Sequence, residues 1–324
     1  MGHEWAVRFL RRAVNSADTS GDVSHAYLFT GAPGVGKTTL ARAVAAALLC
    51  QGEGARPCGE CRACRLVASG NHPDLHVVES ERPGTSLKIE QVRELQHQLA
   101  LTPVEGQRQV VILRRFEEAT TSAANALLKT LEEPPPYVVL AVLARDADLL
   151  LPTIVSRCQQ VPLRPLPVAQ VARALAERWG AEPEQAELLA HISGGRLGWA
   201  VGMLEDGQAL QRRAERLDAL DQLVAASTVE RFRYAEKLAR KPVATQETLD
   251  LWIGWWRDVM LVAAGADAPL TNVDRQDTLR DHARRFGVER SGAVVKALRS
   301  AADRLKRNAN ARLTLEVLML DLPR

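Results

Sequence analysis

The stretch AYLFTGAPGVGKTT, residues 26–39, decides the fold of this chain. It begins with a mostly apolar run, AYLFT, and the residues after its glycines, TTLARAVAAALLC, have the Ala and Leu content and spacing of a helix. Its second part, GAPGVGKTT, matches the pattern G-x-x-x-x-G-K-[ST] in the strand, loop and helix context that this motif requires. We therefore predict a loop that binds the phosphates of a nucleotide.

The residue types of this loop suit the chemistry of phosphate. Its glycines let backbone N–H groups turn towards phosphate oxygens, Lys37 supplies a positive charge, and Thr38 can bind Mg²⁺ at the helix N-terminus. A glycine-rich turn without a ligand would explain neither the Lys-Thr pair nor the flanking elements. The predicted nucleotide-binding residues, with ATP or ADP and Mg²⁺ as the expected ligands, are Gly31, Gly34, Val35, Gly36, Lys37, Thr38 and Thr39.

Length and composition place the chain among ordinary globular proteins. Its 324 residues are 46% hydrophobic and 25% charged, which allows a substantial core and excludes collagen, a disordered tail and a disulfide scaffold. The formal net charge of +3 neither demands nor excludes a nucleic-acid partner. The N-terminus lacks an apolar signal region, and no later stretch is apolar over a membrane-spanning length. We therefore expect a cytoplasmic protein that does not contact a membrane.

Further apolar runs indicate the architecture. LHVV (75–78), QVVIL (109–113) and VVLAVLA (138–144) resemble buried strands, and segments with helical spacing separate them. This repeated β-then-α order predicts a mainly parallel sheet with flanking helices. Beyond Cys158 strand signals nearly vanish, and the proline-rich connector VPLRPLP (161–167) suits a domain boundary. The predicted domains are an α/β nucleotide-binding domain over 1–163, a small all-α domain over 164–207 and a larger all-α domain over 208–324.

Four of the five cysteines lie within residues 50–64. Cys58, Cys61 and Cys64 form two C-x-x-C steps that share Cys61, and Cys50 precedes them by eight positions. Four thiolates suit a closed tetrahedral Zn²⁺ site with a structural role, whereas an iron–sulfur cluster is a weaker alternative because no redox motif lies nearby. Cys158 lies far away in sequence, so we do not count it as a ligand.

The end of the strand at 109–113 is unusual for an enzyme that hydrolyses nucleotides. Hydrolysis normally requires a carboxylate after such a strand to hold Mg²⁺ and another group to orient water. Here Arg114 and Arg115 follow the strand, and the first acids, Glu117 and Glu118, come later. We therefore predict that the chain binds nucleotide with little or no hydrolysis of its own.

Several motifs together resemble the bacterial DNA polymerase III clamp loader, an assembly of AAA+ proteins. They are HAYLFTGAPGVGKTT (25–39), the cysteine segment (50–64), GNHPD (70–74), NALLKTLEEPP (125–135) and SRC (156–158). NALLKTLEEPP and SRC are similar to signatures of the gamma/tau and delta-prime subunits. The resemblance spans the first half of the chain nearly continuously.

The resemblance implies the chain's domains and partners. An AAA+ domain with an inserted zinc module near 50–64 would precede a helical lid and a helical collar. The collar would join five subunits, including gamma/tau and delta, in a hetero-pentameric ring that loads a sliding clamp onto primer-template DNA. It also implies that Arg157 of SRC is an arginine finger that reaches the ATP of a neighbouring subunit, where a cation would stabilise γ-phosphate charge. The alternative role for Arg157 is a surface salt bridge.

Details of the alignment favour a subunit that does not hydrolyse ATP. Arg114 and Arg115 fall where gamma/tau-like chains carry an Asp-Glu pair. The polar sensor expected after the strand at 138–144 falls at Ala144 or Arg145. The lid arginine that senses γ-phosphate aligns near Gly198, with Arg196 two residues away as an imperfect substitute. Three supports of catalysis are therefore missing from the aligned positions.

The last segment, NANARLTLEVLMLDLP (308–323), resembles the closing collar helix of delta-prime subunits, and the long extension of tau-type chains does not follow it. We therefore predict a delta-prime subunit. One alternative is a gamma/tau-like ATPase in which Glu117 or Glu118 has taken the acidic role. Another is a separate protein that binds zinc and DNA, through the cysteines and a basic stretch between Lys296 and Arg312.

Overall fold

The structure is a computed structural model that describes residues 2–19, 23–82, 84–307 and 309–323, so Asn308 of the closing segment lies outside it. Five parallel strands form a sheet in the order β2-β3-β4-β1-β5. These strands are β1 (Ala26–Thr30), β2 (Leu75–Val78), β3 (Gln109–Leu113), β4 (Val138–Ala144) and β5 (Gln159–Pro162). The first four confirm the predicted strands, and their order confirms the predicted parallel α/β domain.

Strand β5 lies where the sequence indicated only a connector. It pairs on one side alone, with β1, so it forms an edge of the sheet. Of its four residues only Val161 is buried, and the strand ends at Pro162. An edge strand tolerates proline and carries no continuous apolar run, which explains why the sequence pattern missed it.

Helices cover both faces of the sheet. Side chains alternate along β1, so that Tyr27 and Phe29 pack with α1 and α2 on one face while Leu28 packs with α4 and α5 on the other. The first six helices are α1 (Glu4–Thr19), α2 (Lys37–Leu49), α3 (Arg62–Ser69), α4 (Ile89–Leu99), α5 (Thr121–Glu132) and α6 (Pro152–Val155). The cysteine segment follows α2 and precedes β2, which makes it an insertion in the α/β domain.

The rest of the chain is helical. Its helices are α7 (Val168–Trp179), α8 (Pro183–Ser193), α9 (Leu197–Glu205), α10 (Ala209–Ala225), α11 (Thr228–Ala239), α12 (Pro242–Ala263), α13 (Gln276–Lys306) and α14 (Ala311–Asp321). The chain divides into two compact units. The first comprises Met1–Gln170 with Arg196–Trp199, and the second comprises Val171–Gly195 with Ala200–Arg324. The division into three domains remains a prediction.

Tryptophans form the centre of the second unit. Trp252, Trp255 and Trp256 of α12 are buried, and α12 packs along α13. Gly287 interrupts the regular backbone of α13 with a φ of 65°, a conformation that glycine adopts without strain. Within the described ranges, no helix combines the length and apolar character needed to cross a membrane.

Candidate nucleotide site and metal centre

The phosphate loop connects β1 to α2, and it has the conformation that its glycines allow. Gly31, Gly34 and Gly36 have φ values of 139°, 80° and 109°. A Cβ at Gly31 would lie 2.3 Å from the carbonyl oxygen of Leu163, and one at Gly34 would lie 2.8 Å from the backbone nitrogen of Trp199. Gly31 and Gly34 are therefore required both for backbone conformation and for close packing.

Lys37 begins α2 and turns its ammonium group back onto the loop. Its Nζ donates hydrogen bonds to the carbonyl oxygens of Gly31 and Ala32, the latter at 3.1 Å. Burial lowers the pKa of Lys37, while the Glu117 carboxylate acts in the opposite direction. A half-buried ammonium at a helix N-terminus is a strong donor to an anion, so the loop can bind phosphate.

The two arginines that follow β3 bind the neighbouring end of β2. Arg114 pairs with Glu79 at 3.2 Å, and Arg115 pairs with the same carboxylate at 2.7 Å. Arg115 has a left-handed backbone, with φ at 50°, and it also donates to the hydroxyl and carbonyl oxygens of Ser80. Guanidinium groups cannot hold Mg²⁺, so Arg114 and Arg115 supply no metal ligand at the end of β3.

The structure separates the roles of the two acids that follow. Glu118 accepts hydrogen bonds from Ser80, from the N–H of Gly84 at 3.0 Å and from Nε of Arg115 at 3.0 Å. Burial raises its pKa, but these donors hold the pKa of Glu118 below its ordinary value. Glu117 instead pairs with Nε of Arg145 at 3.4 Å, and its side chain is only 12% exposed. Sequence alone could not distinguish the two.

A short segment at the start of α9 touches the loop. The N–H of Gly198 donates to the carbonyl oxygen of Gly34 at 2.8 Å, and the Arg196 guanidinium lies over the Trp199 ring at 5.1 Å. A Cβ at Gly198 would lie 3.0 Å from that same oxygen. Gly198 therefore packs directly on the loop without a side chain.

A cavity of about 460 Å³ adjoins the loop. One edge of it is His3, whose Nε2 lies 3.1 Å from the carbonyl oxygen of Val35. The lining residues are His3, Glu4, Trp5, Pro162, Arg164, Pro165, Leu166, Pro167 and Gln170. A cavity of this size with mixed apolar and polar walls suits a small-molecule group. No local sequence pattern predicts this cavity, because its walls come from segments far apart in the chain.

Arg157 lies at the surface, immediately after α6. Its Nη2 pairs with Glu132 at 2.7 Å and its Nη1 donates to the carbonyl oxygen of Thr153 at 2.9 Å. The Arg157 side chain is 35% exposed and that of Glu132 is 50% exposed. Within a single chain Arg157 therefore forms the surface salt bridge that was the alternative to an arginine finger.

The four predicted cysteines come together. Their Sγ atoms all lie within 4.8 Å of one another, with Cys50 and Cys61 at 4.0 Å and Cys58 and Cys64 at 3.9 Å. A Zn²⁺ ion with four thiolates at about 2.3 Å would place sulfur atoms about 3.8 Å apart. The cluster can therefore hold a metal ion. Cys158 is buried in the core of the α/β unit, outside this group.

Hydrogen bonds within the cluster lower the pKa of two of its thiols. Backbone N–H groups, chiefly that of Cys64, lower the pKa of Cys61 to about 6, and similar donors lower the pKa of Cys58. Burial raises the pKa of Cys64 to about 12. A bound metal ion would displace the remaining protons, because thiolates rather than thiols are metal ligands.

The GNHPD motif supports the cysteine segment through one buried carboxylate. Asp74 accepts hydrogen bonds from the N–H groups of Val104, Glu105 and Gly106 at 2.6, 2.9 and 3.0 Å. Glu105 in turn pairs with Arg62 at 2.6 Å, and its carbonyl oxygen accepts from the side chain of Gln51. The motif therefore has a structural role that links β2, the loop before β3 and the cysteine segment.

Comparison with known proteins identifies the family. Residues 5–167 match the family model described as "DNA polymerase III, delta subunit", and residues 207–323 match its C-terminal counterpart. DNA polymerase III subunit delta' of Bacillus subtilis is 30% identical over 323 residues, which cover 99% of this chain and 97% of that protein. DNA polymerase III subunit tau of Escherichia coli is 36% identical over 223 residues, covering 65% of this chain and 34% of that protein.

A solved structure gives a weaker similarity of fold. The DNA polymerase III gamma subunit-related protein of Thermotoga maritima superposes with a TM-score of 0.45 at 19% identity, with 97% of each chain covered. The family models cover both halves of the sequence, and the Bacillus relative covers nearly all of it. The chain therefore belongs to the family of DNA polymerase III delta-prime subunits, clamp-loader proteins related to gamma/tau.

Proposed function

We propose that this clamp-loader subunit binds an adenine nucleotide with Mg²⁺ at its phosphate loop, hydrolyses it slowly or not at all, and supplies Arg157 to a neighbouring subunit. The observation that carries this proposal is the contrast within one site. The loop keeps its glycines and Lys37, whose ammonium donates to the carbonyl oxygens of Gly31 and Ala32. Arg114 and Arg115 at the end of β3 pair with Glu79. Such a site favours binding over turnover.

The surroundings of the loop support a whole nucleotide as ligand. Residues Gly31, Gly34, Val35, Gly36, Lys37, Thr38 and Thr39 would hold the phosphates and, through Thr38, the metal ion. The cavity beside Val35 would receive the nucleoside part, since its walls include Trp5 and several prolines. The segment around Gly198 closes on the loop without contributing a phosphate-sensing arginine at that position.

Zinc is the metal that we propose for Cys50, Cys58, Cys61 and Cys64. Four thiols with sulfur separations near the tetrahedral value suit a closed structural site, which leaves no position for catalysis. We expect the purified protein to contain one equivalent of zinc, measured by elemental analysis. Cys61→Ser should lose the metal, and Cys158→Ser, which changes a core cysteine outside the cluster, should retain it.

Arg157 can leave its partner at small cost. An exposed ion pair such as Arg157 with Glu132 contributes only about 0–1 kcal/mol. A neighbouring γ-phosphate, with more charge and better-placed oxygens, would therefore compete well for the guanidinium. In this proposal Arg157 pairs with Glu132 when no neighbouring nucleotide is present.

The proposed partners are gamma/tau and delta subunits in a hetero-pentameric ring, the sliding clamp, and primer-template DNA reached through the complex, in the cytoplasm where such a replication complex works. Helix α14 supports an interface in its own unit. One side of it is packed in the core, while Leu313, Val317 and Leu320 form an exposed apolar stripe at helical spacing, with Leu320 60% exposed. Leu320→Glu should weaken assembly of the ring, measured by size-exclusion chromatography with light scattering.

The experiment that tests the proposed function measures nucleotide binding and steady-state hydrolysis, first with the isolated chain and then in the ring. We expect the wild type to bind nucleotide with little turnover, and Lys37→Ala to abolish binding. Arg157→Ala should lower turnover only in the assembled ring. Glu132→Gln is the matched control, because it breaks the same ion pair but leaves the finger. Equal losses from both variants would contradict the role in trans.

Rapid turnover by the isolated chain, abolished by Lys37→Ala, would contradict the proposal in a different way. It would favour the alternative of a gamma/tau-like ATPase. Failure of the wild type to bind any adenine nucleotide would refute the nucleotide-binding part while leaving the family assignment intact.

A further inference from the structure

The Glu117 carboxylate is only partly satisfied by the residues around it. Its side chain is mostly buried, and Oε1 faces the Arg145 guanidinium. Its second oxygen, Oε2, is buried and has no hydrogen-bond partner within the described part of the chain. A buried carboxylate oxygen without a donor is costly, so such an atom calls for a missing ligand.

The position of Glu117 directs it towards the nucleotide site. It follows β3, and Arg145 follows β4, the strand that lies between β3 and β1. The carbonyl oxygen of Arg145 accepts the N–H of Gly31 at 3.0 Å, which fixes the end of β4 against the phosphate loop. The charges of Glu117 and Arg145 both act on the Lys37 ammonium. Glu117 therefore lies among the groups that would surround the phosphates and their metal ion.

The other acids at this edge are already engaged. Glu118 receives three donors from Ser80, Gly84 and Arg115, and Glu79 is shared by Arg114 and Arg115. Neither carboxylate has the orphaned buried oxygen that distinguishes Glu117. Glu117 is thus the carboxylate at this edge that a cation could use without breaking an existing network.

We propose that Glu117 is the acidic residue on the metal side of the nucleotide site, with Oε2 binding Mg²⁺ directly or through one water. The inference rests on the proposed function, because the metal would arrive with the nucleotide. Mg²⁺ prefers oxygen ligands and commonly uses one or two carboxylates together with substrate phosphates. Thr38 and Glu117 would be the protein groups that hold it.

This assignment also explains how the site could bind a metal-nucleotide complex without rapid hydrolysis. A carboxylate that holds Mg²⁺ is not available to orient the attacking water, and both positions of the aligned acidic pair carry arginines. Glu117 would supply the negative charge that holds Mg²⁺, but no carboxylate would then orient the attacking water.

The test measures ADP affinity by calorimetry in Mg²⁺ and in EDTA, for the full chain. Supporting carboxylates of metal sites typically contribute about 10- to 100-fold in metal affinity, so we expect Glu117→Gln to reduce the Mg²⁺-dependent gain in ADP affinity by about tenfold. ADP affinity in EDTA should change little. Arg145→Gln, which breaks the same ion pair but keeps the carboxylate, should retain the Mg²⁺-dependent gain.

The outcomes separate this inference from the proposed function. No ADP binding by the wild type overturns both. A Mg²⁺-dependent gain that persists in Glu117→Gln, or that Arg145→Gln removes equally, overturns the metal role alone. If Glu117→Gln does not fold, anomalous scattering from wild-type crystals with Mn²⁺ and ADP decides the matter. The ion should then lie about 2 Å from Oε2, or one water away, and any more distant position refutes the inference.

Discussion

Arg231 of α11 carries a charge that lies entirely inside the second unit, and its removal tests what holds the C-terminal helices together. The side chain is 1% exposed. Its guanidinium donates to the carbonyl oxygens at two helix ends, at distances of 2.7 to 3.1 Å. These acceptors are Leu223 and Val224 at the end of α10 and Met319, Leu322 and Pro323 at the end of α14. A cation at two helix C-termini also interacts favourably with both helix dipoles.

The cost of Arg231→Met can be worked from these contacts. Five carbonyl oxygens lose the donor that Arg231 supplies, but that of Leu223 keeps the N–H of Ala226, so four are counted toward the cost. At about 1 kcal/mol for each, the free energy of unfolding should fall by about 4 kcal/mol. Removing a buried charge from its partners typically costs about 3–5 kcal/mol, which agrees. Arg231→Lys keeps the charge but can reach at most three acceptors, so we expect an intermediate loss.

Urea unfolding followed by tryptophan fluorescence measures this effect, because Trp252, Trp255 and Trp256 report on the second unit. Arg240→Met is the matched control. Arg240 caps the same helix but forms an exposed pair with Glu236, so we expect a change below about 0.5 kcal/mol. A loss below about 1 kcal/mol for Arg231→Met would refute the reasoning, because it would mean that water or relaxation replaces the guanidinium.

Three further predictions concern other parts of the chain. Burial lowers the pKa of His282, whose Nε2 faces Asp221, so the stability of the second unit should be full above about pH 6.5 and fall as the pH drops below it. His282→Gln should flatten this dependence in urea midpoints between pH 7.5 and 5.5, and an unchanged slope would contradict it. Asp74→Asn should lower the free energy of unfolding by roughly 1.5–3 kcal/mol, because an anionic acceptor of three N–H groups is lost; thermal unfolding checks this. The double variant Arg114→Asp with Arg115→Glu should have a lower melting temperature and no ATPase activity. A gain of ATPase activity without loss of stability would contradict this prediction.

The sequence predicted those parts of the fold that depend on local pattern. The first four strands were predicted because each is mostly apolar, as in VVLAVLA of β4, where all seven residues are buried. The cysteine cluster followed from its spacing, and the phosphate loop from its motif and context. Each of these signals is complete within a short stretch of chain.

The remaining features depend on contacts between distant segments. Glu117 and Glu118 are adjacent in sequence, and only the partners Arg145 and Ser80, respectively, give them different roles. The packing of Gly198 on Gly34 joins residues 164 positions apart, and no local pattern specifies it. Strand β5 likewise became visible only through its pairing with β1.

The charged residues at the end of β3 form one network in which acids offset two arginines. Arg114 and Arg115 are adjacent and would repel each other unless acids accompanied them, and Glu79 and Glu118 provide that compensation. Replacing both arginines with acids would therefore leave Glu79 and Glu118 beside further carboxylates and without their cationic partners. Glu117 stands outside the network, paired with Arg145 on the loop side. In the function that we propose, Glu117 is therefore the carboxylate at this edge that can serve a bound metal-nucleotide complex, as expected of a subunit that binds nucleotide as a structural ligand.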